Sequence, residues 1–312
     1  MTAFAFVFPG QGSQGVGMLD AWGDHPAVVA TLKEASEALG EDIGRLIHEG
    51  PKEQLDLTTN TQPVMLTAGV AAWRAWRAEG GAAPVAVAGH SLGEYTALVA
   101  AGVLSLADAL PLVRLRATAM QEAVPVGVGA MAAILGLDAQ AVRDGCKAAA
   151  EASGEVVEAV NFNDPKQTVI AGTKAGVDKA CEMLKAPGAK RALPLPVSAP
   201  FHSSLMKPAA LRLQAALEKV TLNAPQFPVV NNIDVATPAD AAAIRDALVR
   251  QAAGPVRWVE VVQALRARGV THVIECGPGK VLAGMAKRID GDLATAAIND
   301  PATLAEVKGV LA

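Results

Sequence analysis

Residues Gly89-His90-Ser91-Leu92-Gly93 constrain this chain more than any other stretch. The apolar run Val85-Ala86-Val87-Ala88 leads into them, and Glu94-Tyr95-Thr96-Ala97-Leu98 follows with helix-like composition. A G-x-S-x-G placed between a strand and a helix reads as a nucleophile elbow. Its turn is so tight that small residues must flank the serine, whose hydroxyl stands exposed above the sheet edge. The amide of Leu92 then sits at the positive end of the helix and faces whatever the serine attacks.

The remaining composition is that of a globular protein. The chain has 312 residues, 51% of them hydrophobic, and a net charge of −4 from 27 basic and 31 acidic groups. That length supports a large core in one domain or two. Mild acidity gives no reason to expect a nucleic-acid partner. Cys146, Cys181 and Cys276 are far apart and in no metal-ligand spacing, which suits reduced thiols in a cytoplasmic protein. The N-terminal run Thr2-Ala3-Phe4-Ala5-Phe6-Val7-Phe8 lacks a basic region before it and stops at Pro9-Gly10, so it reads as a core strand rather than a signal peptide. No apolar stretch approaches the roughly 20 residues that span a bilayer.

Hydrophobic periodicity predicts helices over Val28–Leu39, Ile43–Ile47, Val64–Trp76, Tyr95–Val99 and Ala107–Glu122. The pattern changes after Val124-Pro125-Val126-Gly127. There it predicts strand Ala130–Leu135, helix Asp138–Ala152, strands Val156–Phe162 and Thr168–Ala171, helix Lys174–Leu184 and strand Arg191–Val197. That is the β-α-β-β-α-β order of a ferredoxin-like unit. After Pro200 come helix Pro208–Val220, strand Phe227–Asn231, helices Ala239–Arg250 and Val259–Arg268, and strand His272–Cys276. The expected fold class is α/β. An α/β-hydrolase-like catalytic domain with a parallel central sheet would take residues 1–126 and 199–312, and a ferredoxin-like domain would be inserted at 127–198.

Gly10-Gln11-Gly12-Ser13-Gln14-Gly15 matches the dinucleotide-binding fingerprint G-x-G-x-x-G. The fingerprint also requires a helix directly after the glycines and a second strand ending in an acid about 20 residues on. No second strand appears before Val85, so the match is discounted. Gly279-Lys280 fails as a P-loop, because Ile274 stands where the first glycine belongs and Val281 follows the lysine.

A serine nucleophile needs a base. His25 and His48 lie in polar stretches and read as surface residues, His272 as structural, and His90 as part of the elbow facing away from the serine side chain. His202 lies in the loop Ser198-Ala199-Pro200-Phe201-His202-Ser203-Ser204, late in the chain, where α/β-hydrolases also carry their histidine. Asp138, Asp164 and Asp178 each read as cap or turn residues, so no triad acid is evident. A Ser–His dyad with a carbonyl behind the histidine would then suffice for an activated thioester. Arg114 and Arg116, two residues apart on one helix, face different sides, so at least one points inward. A buried arginine needs an anionic partner, either a structural ion pair or a substrate carboxylate gripped bidentately.

Together these segments resemble the malonyl-CoA:acyl-carrier-protein transacylases. Gly10-Gln11-Gly12-Ser13-Gln14, Gly89-His90-Ser91-Leu92-Gly93-Glu94-Tyr95, Arg116, Val160-Asn161-Phe162-Asn163, Pro200-Phe201-His202-Ser203, Pro255-Val256-Arg257-Trp258 and Glu275-Cys276-Gly277-Pro278-Gly279-Lys280 carry the resemblance in order across the chain. The resemblance implies Ser91 as nucleophile, His202 as base and later acid, and the amides of Gln11 and Leu92 as oxyanion hole. It implies Arg116 on the malonyl carboxylate, Met120 and Phe201 beside the substrate, and Gln251 steadying the histidine through its carbonyl. The ring of Phe201 would crowd an α-methyl group. Ala117 and Cys276 depart from the family pattern, but both are small and uncharged.

The implied reaction is ping-pong transfer of malonyl from malonyl-CoA to acyl carrier protein, with no metal and no bound cofactor. The expected protein is a cytoplasmic monomer that binds no nucleic acid and no membrane. Lys190, Arg191, Lys280, Lys287 and Arg288 are candidates to meet the acidic carrier. Two rival readings are a serine esterase or thioesterase, which needs a triad acid and has no use for Arg116, and a carrier-protein scaffold with a relic elbow.

Overall fold

The computed structural model describes residues 2–197 and 199–312. Ser198, first residue of the predicted histidine loop and last of the predicted insert, lies outside the described residues, as does Met1. The N-terminal apolar run forms β1 (Phe4–Phe8), buried throughout. The other strands follow as β2 (Ala86–Gly89), β3 (Gly129–Leu135), β4 (Val157–Asp164), β5 (Gln167–Thr173), β6 (Arg191–Pro194), β7 (Val229–Val230), β8 (His272–Cys276) and β9 (Ala294–Ile298).

Five of these strands form one sheet in the order β7-β2-β1-β8-β9. Every pairing in it is parallel. Parallel sheets are covered on both faces, which is why these strands read as short continuous apolar runs. Alternation along β1 divides the two faces. Phe4 and Phe6 stack edge-on against Trp76 of helix Thr58–Ala78, and Phe6 also meets Trp73. Ala5 and Val7 face the opposite core with Trp258, Val261 and Leu265 of helix Trp258–Ala267.

The elbow joins β2 to helix Gly93–Ala100. Ser91 adopts φ 52°, a left-handed conformation uncommon for a side chain of its kind. A Cβ on Gly89 would lie 1.9 Å from the Gly93 carbonyl carbon, and one on Gly93 would lie 2.0 Å from the Phe8 carbonyl oxygen. The two glycines are required because backbone presses on backbone.

The remaining strands form a second sheet in the order β4-β5-β3-β6, antiparallel throughout. With helices Ala139–Ser153 and Lys174–Met183 it follows the predicted β-α-β-β-α-β order around its own apolar cluster. Asp138 and Thr173 cap those helices with their side chains. Strand β4 is tied to the segment before helix Trp258–Ala267, where the Phe162 amide donates to the Val256 carbonyl (2.9 Å) and the Val256 amide to that of Val160 (2.8 Å).

Two predicted strands are shorter than expected. Phe227–Asn231 keeps only Val229–Val230, because Pro228 has no amide to donate and the Asn231 side chain accepts from the Asp234 amide (2.9 Å), turning the chain. Arg191–Val197 ends at Pro194, where Pro194 and Pro196 interrupt pairing. Helix Val281–Ile289, strand β9 and helix Pro301–Leu311 complete the fold, the last begun by an Asp300–Thr303 capping box. His25 is not a surface residue: its side chain is 14% exposed and caps helix Pro26–Leu39 by accepting from the Ala27 amide. Among the described residues no helix is long and apolar enough to cross a membrane.

Gly93→Ala is expected to destabilise the protein by at least ~3 kcal/mol, since the Phe8 carbonyl has nowhere to retreat inside the sheet. Urea denaturation of the variant beside the unmodified chain measures the difference.

Candidate active site

The elbow places Ser91 at the mouth of a cleft of about 120 Å³ whose walls come from distant parts of the chain. Gln11, Leu92, Arg116, Met120, Phe201 and His202 all line it. Gln251 lies directly behind the histidine. The sequence-predicted site residues are therefore brought together.

The Ser91 Oγ lies 2.7 Å from the His202 Nε2. On the other side of the ring, Nδ1 faces the carbonyls of Gln251 (3.0 Å) and Gly254 (3.2 Å). Carbonyls only accept, so Nδ1 carries the proton and Nε2 keeps its lone pair toward the serine hydroxyl. Among the described residues no carboxylate stands behind the imidazole. Asp138 caps a helix, Asp164 accepts from the Lys166 amide and pairs with Arg288, and Asp178 pairs with Lys174. His202 itself takes φ 65°, so both members of the dyad occupy left-handed backbone. Burial, reinforced by the nearby Arg116 cation, pushes the imidazole pKa down to about 3.

Arg116 projects inward from helix Leu106–Glu122 and is 2% exposed, whereas Arg114 turns outward to pair with Glu41. The guanidinium donates to Gln62 Oε1 (2.8 Å), to Gln251 Oε1 (3.0 Å) and to Ser91 Oγ (3.2 Å), and its carbon lies 5.4 Å from the centre of the Tyr95 ring. Its hydrogen-bond partners are all uncharged. Its Nε is buried without a hydrogen bond. Burial lowers the arginine pKa, as expected for a cation held by neutral dipoles. A site of this kind is primed for an anion beside the serine hydroxyl.

Several contributors have no assigned role in the sequence reading. Asn232 accepts from the Ser91 amide through Oδ1 (2.7 Å) and donates from Nδ2 to the Gly89 carbonyl (2.7 Å). It clamps both sides of the elbow. Glu94, 2% exposed, accepts from the Asn232 amide (2.9 Å) and from Gln251 Nε2 (3.1 Å). A charged residue inside an apolar helix is the signal that would have found Glu94. Gln62 and Asn232 leave no such trace, because single amides recur across the whole sequence. His90, as expected, turns from the serine: its Nε2 meets Asn163 Oδ1 at 2.8 Å and its ring tilts against Trp258. Among the described residues no group of three or more His, Cys, Asp or Glu side chains is arranged to hold a metal ion.

Comparison with known proteins is consistent with this geometry. Residues 5–297 match the family model described as an acyl transferase domain. The chain is 56% identical over 305 residues to the malonyl CoA-acyl carrier protein transacylase of Salmonella typhimurium, covering 97% of this chain and 98% of that one. It is 47% identical over 305 residues to the protein of that name from Bacillus subtilis, covering 97% and 96%. Among solved structures, the acyl-carrier-protein S-malonyltransferase of Burkholderia pseudomallei superposes with a TM-score of 0.97 at 67% identity, over 99% of this chain and 100% of the other. A malonyl-transacylase solved in complex with its type II PKS acyl-carrier protein superposes with a TM-score of 0.97 at 52% identity, over 99% and 100%.

The depressed pKa makes the state of His202 directly measurable. Nitrogen-15 chemical shifts of the ring are expected to remain those of a neutral, Nδ1-protonated imidazole at pH 5, where an ordinary histidine is mostly charged. Because unfolded His202 takes up its proton near its ordinary pKa of 6.5 and the folded ring does so only near 3, its contribution to stability is complete above about pH 6.5 and is lost as the pH falls toward 3.

Proposed function

The chain belongs to the acyl transferase domain family, and from that premise we infer that it transfers a malonyl group from malonyl-CoA to the thiol of acyl carrier protein. One observation carries the assignment of the acyl group. A guanidinium whose hydrogen-bond partners are all neutral lies 3.2 Å from the nucleophilic oxygen, where a carboxylate on the acyl chain would complete its pairing.

In the first half-reaction, Ser91 Oγ gives its proton to His202 Nε2 and attacks the thioester carbon. The amides of Gln11 and Leu92 receive the developing oxyanion. This role rests on their place in the cleft wall and on Leu92 opening helix Gly93–Ala100. As the carbon–sulfur bond breaks, His202 returns the proton to the departing thiolate, leaving malonyl-serine and free coenzyme A. The pantetheine thiol of the carrier then repeats the sequence in reverse. Each step needs only the proton that His202 holds, so the proposed cycle uses no metal and no bound cofactor. The Gln251 carbonyl keeps the imidazole in the required tautomer. Arg116 grips the malonyl carboxylate, Met120 packs beside the acyl group, and Phe201 leaves little room for an α-methyl substituent.

The same reading divides the chain into a catalytic domain, residues 1–126 and 199–312, with an insert at 127–198. Support for an α/β-hydrolase-like catalytic domain comes from the parallel sheet and the strand–elbow–helix unit. The ferredoxin-like description of the insert is supported by its antiparallel strand order. Carrier docking is assigned to the exposed basic residues Lys190, Arg191, Lys280 and Lys287. Arg288, also exposed, already pairs with Asp164 at 2.7 Å. The proposed protein acts as a cytoplasmic monomer and binds neither nucleic acid nor membrane. A serine esterase would want an acid behind His202 and would gain nothing from Arg116, so that alternative is set aside.

Incubation with malonyl-CoA is expected to add one malonyl group to the intact protein, and Ser91→Ala to abolish the adduct. An unmodified wild-type mass would overturn the assignment. Arg116→Ala should lower the preference for malonyl-CoA over acetyl-CoA by ~10–100-fold, the loss of a charge-assisted pair. Phe201→Ala should raise acylation by methylmalonyl-CoA by about 10-fold or more relative to malonyl-CoA.

A further inference from the structure

Glu94 stands one layer behind the reacting groups and touches none of them. Its Oε2 receives two hydrogen bonds, from the Asn232 amide (2.9 Å) and from Gln251 Nε2 (3.1 Å). Each donor belongs to a residue that holds the elbow or the dyad. Asn232 clamps the turn at the Ser91 amide and the Gly89 carbonyl. Gln251 donates its other Nε2 hydrogen to the Ser91 carbonyl (2.9 Å), presents Oε1 to Arg116 (3.0 Å), and offers its backbone carbonyl to His202 Nδ1 (3.0 Å).

We propose that Glu94 is a positioning residue for the transfer, fixing through Gln251 and Asn232 the aim of Arg116, Ser91 and His202; the proposal rests on the function inferred above. The reason lies in the chemistry of an amide. The two ends of a glutamine side chain have almost the same shape, and their hydrogen-bond partners alone decide which way it points. Two acceptors, the Glu94 carboxylate and the Ser91 carbonyl, face Nε2, so Oε1 must turn to the guanidinium. Without Glu94 one of the two acceptors is gone, and only the Ser91 carbonyl and the guanidinium still hold the amide against rotation or reversal. A reversed amide would then aim its N–H groups at Arg116 and drive the cation from its place beside Ser91.

The role is that of an acceptor rather than of a charge. Burial pushes the Glu94 carboxyl up to about 7, against the pull of Asn232, Gln251 and Arg116, while Asp234 adds to the upward push. In either protonation state Oε2 retains lone pairs for both donors. The carboxyl also borders a small cavity lined by Asn231, whose Nδ2 is buried without a hydrogen bond.

The test compares Glu94→Gln, Glu94→Ala and Glu94→Asp with the unmodified enzyme in single-turnover acylation by malonyl-CoA and by acetyl-CoA. Rates are normalised to the sites that a serine-directed reagent labels. Glu94→Ala is expected to acylate ~10–100-fold more slowly, as misplacement by about an ångström does, and to lose at least about 5-fold in its malonyl-to-acetyl preference. Glu94→Gln, which keeps an oxygen where both donors converge, should restore the preference and most of the rate. Glu94→Asp keeps a carboxyl group but falls short of the donors by a methylene, so it should lose preference like alanine; it decides the matter if the alanine variant does not fold. A purely structural role would lower the melting temperature and leave the preference per active site unchanged, and that result in Glu94→Ala or Glu94→Asp overturns the proposal. So does a glutamine variant as impaired as alanine. Failure of the wild-type enzyme to form any malonyl adduct would instead sink the underlying function.

Discussion

Everything at the site hangs on one close approach, the packing of the Gly93 backbone against the Phe8 carbonyl. Because no side chain separates them, the helix after the elbow starts directly over the end of β1. The loop following β1, with Gln11, lines the same cleft as Leu92, and the chain at Ser91 takes left-handed backbone. Strain at a serine persists only where neighbours over-determine it. Here Asn232 grips the Ser91 amide and the Gly89 carbonyl, and Gln251 takes up the Ser91 carbonyl. The serine is held at its main-chain amide and carbonyl, so its hydroxyl is shared between His202 and Arg116.

The second constraint is electrostatic. A buried cation is ordinarily neutralised by a carboxylate. Arg116 instead hydrogen-bonds two glutamine oxygens and lies by a tyrosine ring, and the buried Glu94 carboxyl acts on it only through space. Dipoles lower the cost of burying the charge without cancelling it. The same positive field disfavours a proton on His202, which helps keep the imidazole in its basic form. One guanidinium thus bears on both the serine hydroxyl it touches and the charge state of the imidazole. An imidazole backed by two carbonyls keeps its tautomer without a triad acid.

What could be read from sequence followed local physics. The elbow is visible because its five residues are contiguous and flanked by a strand and a helix, although the contact that demands Gly93 is with distant Phe8, and the small antiparallel unit because its helices begin at Asp138 and Thr173 with side-chain caps. His202 and Arg116 stood out as a loop histidine and an inward arginine, while the places of Gln11 and Gln251 came from family resemblance. Strand ends were misjudged where proline removed an amide, at Pro194 and Pro228. His25 was misplaced because the polar residues around it hid its capping bond to Ala27. Asn232 and Gln62 were invisible for a different reason. Their importance lies in partners 141 and 54 residues away, and no short pattern encodes such a distance.

The position of β1 also sets a timetable. It pairs with β2 on one side and with β8 on the other, so the first strand made is the middle strand of the finished sheet. One neighbour is ready once residue 89 has been synthesised, the other only with residue 272 onward. At ~5–20 residues per second, the open edge of β1 waits on the order of ten seconds or longer for its second partner. During that interval its alternating phenylalanines have only the helices already made to shelter them. The aromatic stacking of Phe4 and Phe6 on Trp73 and Trp76 needs only residues 4–76, so its partners are all made long before β8.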